Sequence, residues 1–228
     1  EGMRARKPET TMTHVYKLTE NYPAASWATI DYYGRPKIAH HGLRDVHAPV
    51  HIMAVFDSWD VKRGKLPMTI HAVNDTSERI EATACVRLLD GSFRSIETFE
   101  VPASLPTDRA VLLRDAGFEV PRRTERPLFL VLELKAGSTV IDRNWYFFDF
   151  VKRQGSLFDR PQTHLDASLA ADDETAVTIV NRGKVPALSV GFGFGPASDT
   201  WYAEESGLWL EPGEERRVIL YQTEPIEG

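Results

Sequence analysis

The chain has 228 residues, of which 42% are hydrophobic and 10% aromatic, and its formal net charge is −6 at pH 7. This composition predicts a folded, globular protein and excludes a disordered chain. The charge, without any arginine-rich run, argues against a nucleic-acid partner. No apolar run approaches the roughly 18 residues of a membrane-spanning helix, so we predict no membrane partner. The single cysteine, Cys85, lies in an apolar alternation and predicts a buried thiol.

The N-terminal segment reads "EGMRARKPETTMTHVYKL". "MRARKP" is typical of the basic end of a helix that Pro8 stops. This segment lacks the apolar core of a signal peptide, and the chain begins two residues before Met3. We therefore expect a piece of a longer polypeptide, and its compartment, cytoplasmic or periplasmic, stays open.

The first 48 residues predict one β/α unit. Alternating residues over 12–18 indicate a strand, and an aromatic-rich loop follows it. Pro36 suits the first turn of a helix, and apolar residues at helical spacing extend that helix over 36–47. Ala48-Pro49 ends it. One such unit cannot close a sheet by itself.

From residue 49 the pattern changes to short β-rich runs separated by turn signals. Seven runs fall within 49–152, which is the strand count of an immunoglobulin-like sandwich. Asp90-Gly91, between two of them, is the strongest hairpin signal. A polar linker follows, and five further runs predict a second, smaller sandwich.

The predicted fold is therefore mainly β, with two immunoglobulin-like sandwiches after one β/α unit. The predicted boundaries are 1–48 for the β/α unit, 49–152 for the first sandwich and 153–228 for the second.

The stretch around "ENYPAASWATIDYYGRPK" resembles the C-terminal part of family-two glycoside hydrolases, specifically β-mannosidases and exo-β-glucosaminidases. In that family a barrel strand leads into Ser-Trp-x-x-Ile-Asp-Tyr-Tyr-Gly and a helix, and a sandwich begins near Ala-Pro-Val. The matching residues here are Leu18, Pro23, Ser26, Trp27, Ile30, Asp31, Tyr32, Tyr33, Gly34, Lys37, Ala48, Pro49 and Val50. "RNWYFFDFVK" and the Pro-Gly-Glu turn near residue 213 extend the resemblance along the chain.

The resemblance implies that residues 1–48 are the end of a (β/α)₈ catalytic barrel. Active sites of such barrels lie where the strands end, so the aromatic loop would form one wall of a sugar pocket. Two positions depart from the family pattern: Thr19-Glu20 stands where the family has Asn-Asp, and Tyr22 where it has Trp.

From this resemblance we expect the C-terminal accessory region of an exo-acting, retaining β-glycosidase that hydrolyses terminal β-linked sugars. Tyr22, Glu20 and Trp27 are the candidate substrate-binding residues of the full-length parent. Two of them have a structural alternative, since Tyr22 can pack locally against Pro23 and Trp27 can act as a core wedge between the barrel and the sandwich. The catalytic carboxylate pair of such enzymes is not assigned to any residue of this chain, so we expect the chain alone to be inactive.

Other motifs do not support a cofactor or a metal site. Among His40, His41, His47 and His51, only His47 and His51 are spaced i, i+4, and Ala48-Pro49 ends the predicted helix between them, so no pair has this spacing on a helix. "GFGFG" lacks the Lys-Ser/Thr of a phosphate loop. Trp201, Tyr202 and Trp209 suit either an aromatic sugar-binding strip or the core of a small sandwich.

The expected partners are the rest of the parent polypeptide and, through its barrel, a β-linked oligosaccharide or glycoside. The alternative function is a stand-alone carbohydrate-binding or scaffolding β-sandwich protein without catalysis. The β/α unit favours the first function, because a free-standing module would leave its apolar face uncovered.

Overall fold

The computed structural model describes residues 1–10, 12–149, 157–193 and 201–223. These residues form two compact units, Glu1–Thr13 with Val46–Arg160 and His14–Asp45 with Pro161–Gly228. Among the described residues, no helix has both the length and the apolar character that crossing a bilayer requires.

The first unit contains seven antiparallel strands in two sheets, as the sequence predicted. One sheet has the order β1-β2-β5 and the other the order β4-β3-β6-β7. The strands are β1 (Val50–Val55), β2 (Lys65–Asn74), β3 (Ile80–Leu89), β4 (Ser95–Leu105), β5 (Arg109–Glu119), β6 (Leu128–Ala136) and β7 (Thr139–Phe148).

The core of the first unit lies on the alternating faces of these strands. Leu66, Met68 and Ile70 of β2 are buried at every second position, which is the period of a half-buried strand. The central strand β6 is buried on both faces from Leu128 to Leu134. Cys85 of β3 is also buried, which confirms the prediction from the sequence.

The Asp90-Gly91 hairpin is confirmed between β3 and β4. Asp90 Oδ1 accepts hydrogen bonds from the backbone N–H groups of Ser92 and Arg94, both at 2.9 Å. The left-handed backbone conformation falls on Phe93, with φ of 63°, and not on Gly91. Gly91 is needed for close approach, because a Cβ there would lie 2.9 Å from the carbonyl oxygen of Arg126.

A short 3₁₀ turn, Arg4–Arg6, stands where the sequence predicted the end of a helix. The buried Arg4 guanidinium donates to the carbonyl oxygen of Ala48 and to Asp75, both at 2.9 Å. Lys7 pairs with the same Asp75 carboxylate at 2.7 Å. The N-terminal segment is therefore fixed to the first sandwich by charge-assisted hydrogen bonds.

A buried polar cluster also joins Glu1 to the first sandwich. Its carboxylate accepts hydrogen bonds from Asn144 at 2.7 Å and from the Tyr146 hydroxyl at 2.9 Å. The His51 ring lies between two carboxylates, 3.3 Å from Glu1 and 3.1 Å from Asp142. Burial acts to lower the pKa of His51, but these carboxylates outweigh it and raise the pKa above its usual value.

The second unit contains one helix and six short strands. A four-stranded sheet has the order β11-β13-β9-β8, and β10 pairs with β12. The elements are α1 (Ile38–Val46), β8 (Leu165–Ala170), β9 (Asp173–Asn181), β10 (Ala187–Val190), β11 (Trp201–Ala203), β12 (Leu208–Leu210) and β13 (Glu215–Gln222). Ile179, Ala187, Val190 and Leu210 form the centre of its core.

Helix α1 confirms the helix predicted over 36–47, but it begins at Ile38. The two residues before the helix pair with the preceding loop instead. Pro36 forms a β-bridge with Ile30, and the Lys37 N–H donates to the carbonyl oxygen of Thr29 at 2.8 Å. The helix therefore starts only after that pairing ends.

The strand predicted over 12–18 is wrong. These residues adopt no regular strand, and the nearest pairing is a single parallel bridge from Thr19 to Ile30. Met12, Val15, Tyr16 and Leu18 are all exposed. Alternation cannot form a strand without neighbours that accept its backbone hydrogen bonds, and the described residues supply none here. The assignment of 1–48 to a barrel, and the three boundaries, stay predictions.

A fully buried asparagine closes the end of β2 in the first unit. Asn74 donates from Nδ2 to the carbonyl oxygens of Glu78 at 2.7 Å and Leu105 at 3.1 Å. Its Oδ1 accepts from the backbone N–H of Thr76 at 3.0 Å. One side chain thus fixes the turn after β2 and the end of β4.

Asn181, the last residue of β9, repeats this arrangement in the second unit. Its Nδ2 donates to the carbonyl oxygens of Val185 at 2.9 Å and Leu210 at 3.0 Å. Its Oδ1 accepts from the backbone N–H of Gly183 at 3.0 Å. The two sandwiches therefore use the same polar device at corresponding strand ends.

We expect Asn74→Ala and Asn181→Ala each to destabilise the chain by roughly 2–4 kcal/mol, because each removes the amide donor from a buried carbonyl oxygen on another strand and from a partly buried turn carbonyl. Chemical denaturation measures the effect. Asn21→Ala, at an exposed loop position, is the control and should change stability by less than about 0.5 kcal/mol. A decrease of less than about 1 kcal/mol in the free energy of unfolding, in both the Asn74→Ala and the Asn181→Ala variants, would contradict the role given to these side chains.

Candidate functional site

The candidate site is the aromatic loop, residues 16–37, in the second unit. Two isolated β-bridges join segments of its backbone, one between Thr19 and Ile30 and one between Ile30 and Pro36. The Ile30 N–H donates to the carbonyl oxygen of Leu18 at 2.8 Å. Ile30 is therefore paired on both sides, which gives the loop a defined base.

A buried carboxylate lies at this base. Glu20 Oε2 is 2.8 Å from the Lys17 ammonium, and Oε1 is 2.9 Å from the Lys37 ammonium. The Ser26 hydroxyl donates to Oε1 at 2.5 Å, and Lys37 donates to the Ser26 carbonyl oxygen at 3.1 Å. These four residues, Lys17, Glu20, Ser26 and Lys37, form what we call the Glu20 cluster.

The Glu20 cluster fixes the charge of its carboxyl group. Hydrogen bonds from Lys17, Ser26 and Lys37 lower the pKa of Glu20 to about 2. At neutral pH Glu20 is therefore a carboxylate, and both of its oxygens already accept hydrogen bonds. A group with this pKa cannot serve as a general acid near pH 7.

The aromatic rings above this base face solvent. Tyr22 is 64% exposed and Trp27 is 71% exposed. The ring of Tyr16 lies 6.2 Å from that of Trp27, centroid to centroid, at an interplanar angle of 36°. Trp27 is thus not a core wedge within the described residues. Its exposed face and that of Tyr22 are open to a ligand or to another protein surface.

The end of the loop is structural. Asp31 Oδ1 accepts from the N–H groups of Tyr33 and Arg35, both at 2.9 Å, and Oδ2 lies 2.8 Å from Arg35 Nε. Gly34 takes φ of +80° in this turn. Tyr32 and Tyr33 meet edge to face with centroids 5.3 Å apart. The two tyrosines therefore pack on each other at this turn.

The histidines of this region are not gathered into a site. In the part of the chain that the structure describes, no three His, Cys, Asp or Glu side chains lie close enough together to hold a metal ion. His51 belongs to the buried cluster around Glu1, and His40 and His41 are neighbours on α1.

Sequence reasoning named Glu20, Tyr22 and Trp27 but missed the two lysines that hold Glu20. The i, i+3 spacing of Lys17 and Glu20 was a signal, but Lys37 lies 17 residues away. Only the folded loop brings it to the carboxylate.

The low pKa of Glu20 gives a prediction for acid. Because the folded-state value of about 2 lies below the ordinary 4.5, the stabilisation by Glu20 is present above about pH 4.5 and is lost as the pH falls through about 2. Carboxyl NMR titration should place the Glu20 midpoint near 2. Amide hydrogen exchange at Ile30 and Lys37 should become faster over the same pH interval. In the Glu20→Gln variant it should be faster already at neutral pH.

Glu9→Gln, at an exposed carboxylate outside the loop, is the matched control and should leave exchange at Ile30 unchanged. A Glu20 midpoint close to 4.5 would show that the Glu20 cluster does not persist in solution.

Part of this chain is similar to a described protein family. Residues 67–152 match the model of the Mannosidase Ig/CBM-like domain. The chain is also 34% identical over 101 residues to β-mannosidase A of Aspergillus niger. This alignment covers 43% of the chain and 10% of that relative, so the chain corresponds to a small part of the curated protein.

Solved structures of similar fold cover almost the whole chain. The β-D-mannosidase of Dictyoglomus thermophilum matches 98% of this chain with 25% of its own length, at a TM-score of 0.70 and 18% identity. The exo-chitosanase of Amycolatopsis orientalis matches 90% of this chain with 27% of its own length, at a TM-score of 0.69 and 17% identity. At these identities the likeness establishes the fold alone.

The family resemblance inferred from the sequence is therefore confirmed: residues 67–152 are similar to the Mannosidase Ig/CBM-like domain, and most of the chain shares its fold with part of a solved β-D-mannosidase and part of a solved exo-chitosanase.

Proposed function

We propose that this chain is the accessory region of an exo-acting, retaining β-glycosidase of the β-mannosidase type. In this proposal its sandwiches brace the catalytic barrel of the full polypeptide, and the aromatic loop supplies one wall of the sugar pocket. The substrate is a terminal β-linked sugar, and the catalytic carboxylates come from the rest of the polypeptide.

The observation that carries the proposal is the exposure of Tyr22 and Trp27 above a rigid base. A pyranose ring presents an apolar C–H face, which a flat aromatic ring matches while polar neighbours hold the hydroxyl groups. Exposed rings of this size cost solubility, so their position on one loop calls for a partner. A sugar in the pocket, with the barrel around it, is the partner we propose.

The Glu20 cluster supports this role by preorganisation. Two lysines and a serine hold Glu20, and the backbone bridges of Ile30 hold the strand-like segments beside it. Pro23 follows Tyr22 directly and restricts the backbone of the loop. A loop that is already ordered loses less entropy when it binds a sugar.

In the proposed pocket Tyr22 stacks on the sugar, and Glu20 and Trp27 lie beside it. Glu20 acts as a fixed negative charge that orients Lys17 and Lys37, and not as the acid or the nucleophile. Its pKa of about 2 suits that role, because the carboxylate stays ionised across the working range of pH.

The isolated chain should show no turnover of aryl β-mannosides or β-glucosaminides above background. Retaining hydrolysis needs two carboxyl groups about 5–5.5 Å apart, one of them protonated at working pH. Glu20 is ionised and held by lysines, so it cannot supply the acid. The measurement is release of nitrophenol by the purified chain; hydrolysis that a single Glu or Asp substitution in this chain abolishes would contradict the proposal.

In the full polypeptide that contains this chain, Tyr22→Ala should lower kcat/KM by roughly 10–100-fold, about 1.4–2.7 kcal/mol. The reason is loss of a stacking contact that strengthens in the transition state. Because Tyr22 is exposed in this chain, the melting temperature of the Tyr22→Ala polypeptide should change little. The control is Phe158→Ala, an aromatic side chain that is 88% exposed and lies outside the loop.

Trp27→Ala distinguishes a sugar contact from packing against the barrel. A sugar contact lowers kcat/KM and leaves the melting temperature of the full polypeptide unchanged, whereas a packing role lowers the melting temperature instead. Unchanged kcat/KM in Tyr22→Ala would remove Tyr22 from the pocket and with it the proposed role of the loop.

A further inference from the structure

A second concave site lies in the second unit, and neither Tyr22 nor Trp27 lines it. It is a cavity of about 260 Å³. The segment that leads into α1 forms one side, and the β10 and β11 region forms the other. The residues on which the inference rests are Arg35, Lys37, His41, Phe192, Trp201 and Tyr202.

The charged groups at this cavity are neutralised within the unit. The Arg35 guanidinium lies 2.8 Å from the Asp31 carboxylate, and the Lys37 ammonium lies 2.9 Å from the Glu20 carboxylate. Burial lowers the pKa of His41, and the neighbouring Arg44 lowers it further, so the imidazole is neutral at pH 7. The wall therefore offers hydrogen-bonding groups without an excess charge, which suits a neutral ligand.

The opposite side of the cavity is aromatic. Trp201 and Tyr202 of β11 are half-buried, and Phe192 also packs against the core of the second unit. Tyr202 stacks on Tyr221 of β13, with ring centroids 5.4 Å apart and an interplanar angle of 26°. This stacking holds β11 side chains in place before any ligand binds.

Two contacts fix the walls relative to each other inside the unit. The Arg44 guanidinium donates to the carbonyl oxygen of Glu204 at 2.5 Å, just after β11. Ile38, at the start of α1, packs so closely on Gly207 that a Cβ there would lie 2.9 Å from its Cδ1 atom. The cavity is thus built from elements that are tied together, as in most preformed small-molecule sites.

His41 leaves a polar atom unsatisfied at this place. The side chain is buried, and its Nδ1 has no hydrogen-bond partner among the described residues. Because this atom has almost no solvent-accessible area, it does not itself face the cavity, and the His41 ring contributes a neutral part of the wall without a hydrogen bond from Nδ1. Phe192 and Trp201 then supply the apolar contact.

From this combination of neutral polar groups and aromatic side chains we infer that the cavity binds one neutral pyranose ring, as a carbohydrate site distinct from the one proposed at Tyr22 and Trp27. Its volume lies just below the common range of roughly 300–1,000 Å³ for small-molecule sites, so it admits a single ring and not an oligosaccharide. The inference does not depend on Tyr22 and holds or fails independently of the proposed pocket.

The test is NMR titration of the chain with methyl β-D-mannopyranoside in the millimolar range. Saturable shifts should appear at Trp201, Tyr202 and His41. Gly193→Leu should weaken binding by about tenfold or more, equal to about 1.4 kcal/mol. Gly193 lines the cavity, and a Cβ there meets no atom of the described residues within 4 Å, so a leucine side chain has room to occupy part of the site.

Phe158→Ala, at an exposed aromatic side chain that does not line the cavity, is the matched control and should bind the glycoside as the unsubstituted chain does. Two charged probes, inorganic phosphate and glucuronate, should bind at least tenfold more weakly than the neutral glycoside. Trp201→Ala, if folded, should lose binding as Gly193→Leu does.

Three results would overturn the inference. The first is no saturable shift, or equal shifts in Gly193→Leu. The second is shifts confined to the aromatic loop and lost in Tyr22→Ala, which would support the proposed pocket and leave this cavity without a ligand. The third is stronger binding of either charged probe, which would show that the cavity selects an anion.

Discussion

Each sandwich of this chain depends on one buried asparagine. Asn74 and Asn181 are the last residues of β2 and β9, and each supplies donors to one turn carbonyl and to one carbonyl on a distant strand. A strand that ends inside a sandwich leaves backbone N–H and C=O groups that water cannot reach. If these groups stay unpaired, the free energy they cost exceeds what most single packing contacts contribute. The asparagine amide meets that need at a point where the backbone must turn away.

The Glu20 cluster solves a different problem in the aromatic loop. A loop that presents exposed rings gains little from burial of those rings, so its order must come from polar contacts beneath them. Lys17, Ser26 and Lys37 converge on one carboxylate, and this charged base allows Tyr22 and Trp27 to stay on the surface in a fixed place. Function and order are therefore carried by different residues within the same loop.

The first sandwich was predictable because local pattern and tertiary environment agree there. Alternation along β2 and the turn at Asp90-Gly91 both specify a half-buried hairpin architecture, and the seven predicted runs became seven strands. Residues 12–18 show the opposite case, since their alternation is as regular but they find no partner strand. Alternation of apolar and polar residues can be found in one segment of sequence, whereas a strand forms only when two segments pair through backbone hydrogen bonds.

The sequence by itself determined the mainly β class, the strand positions of the first sandwich, the helix after the aromatic loop and the family resemblance, because all of these rest on local spacing and residue type. Only the tertiary structure decided that Lys37 reaches Glu20, that Trp27 is exposed and that residues near 35, 41 and 201 enclose one cavity. Such contacts join residues far apart in the chain. The free energy that stabilises them comes from burial and from paired charges, which no local pattern encodes.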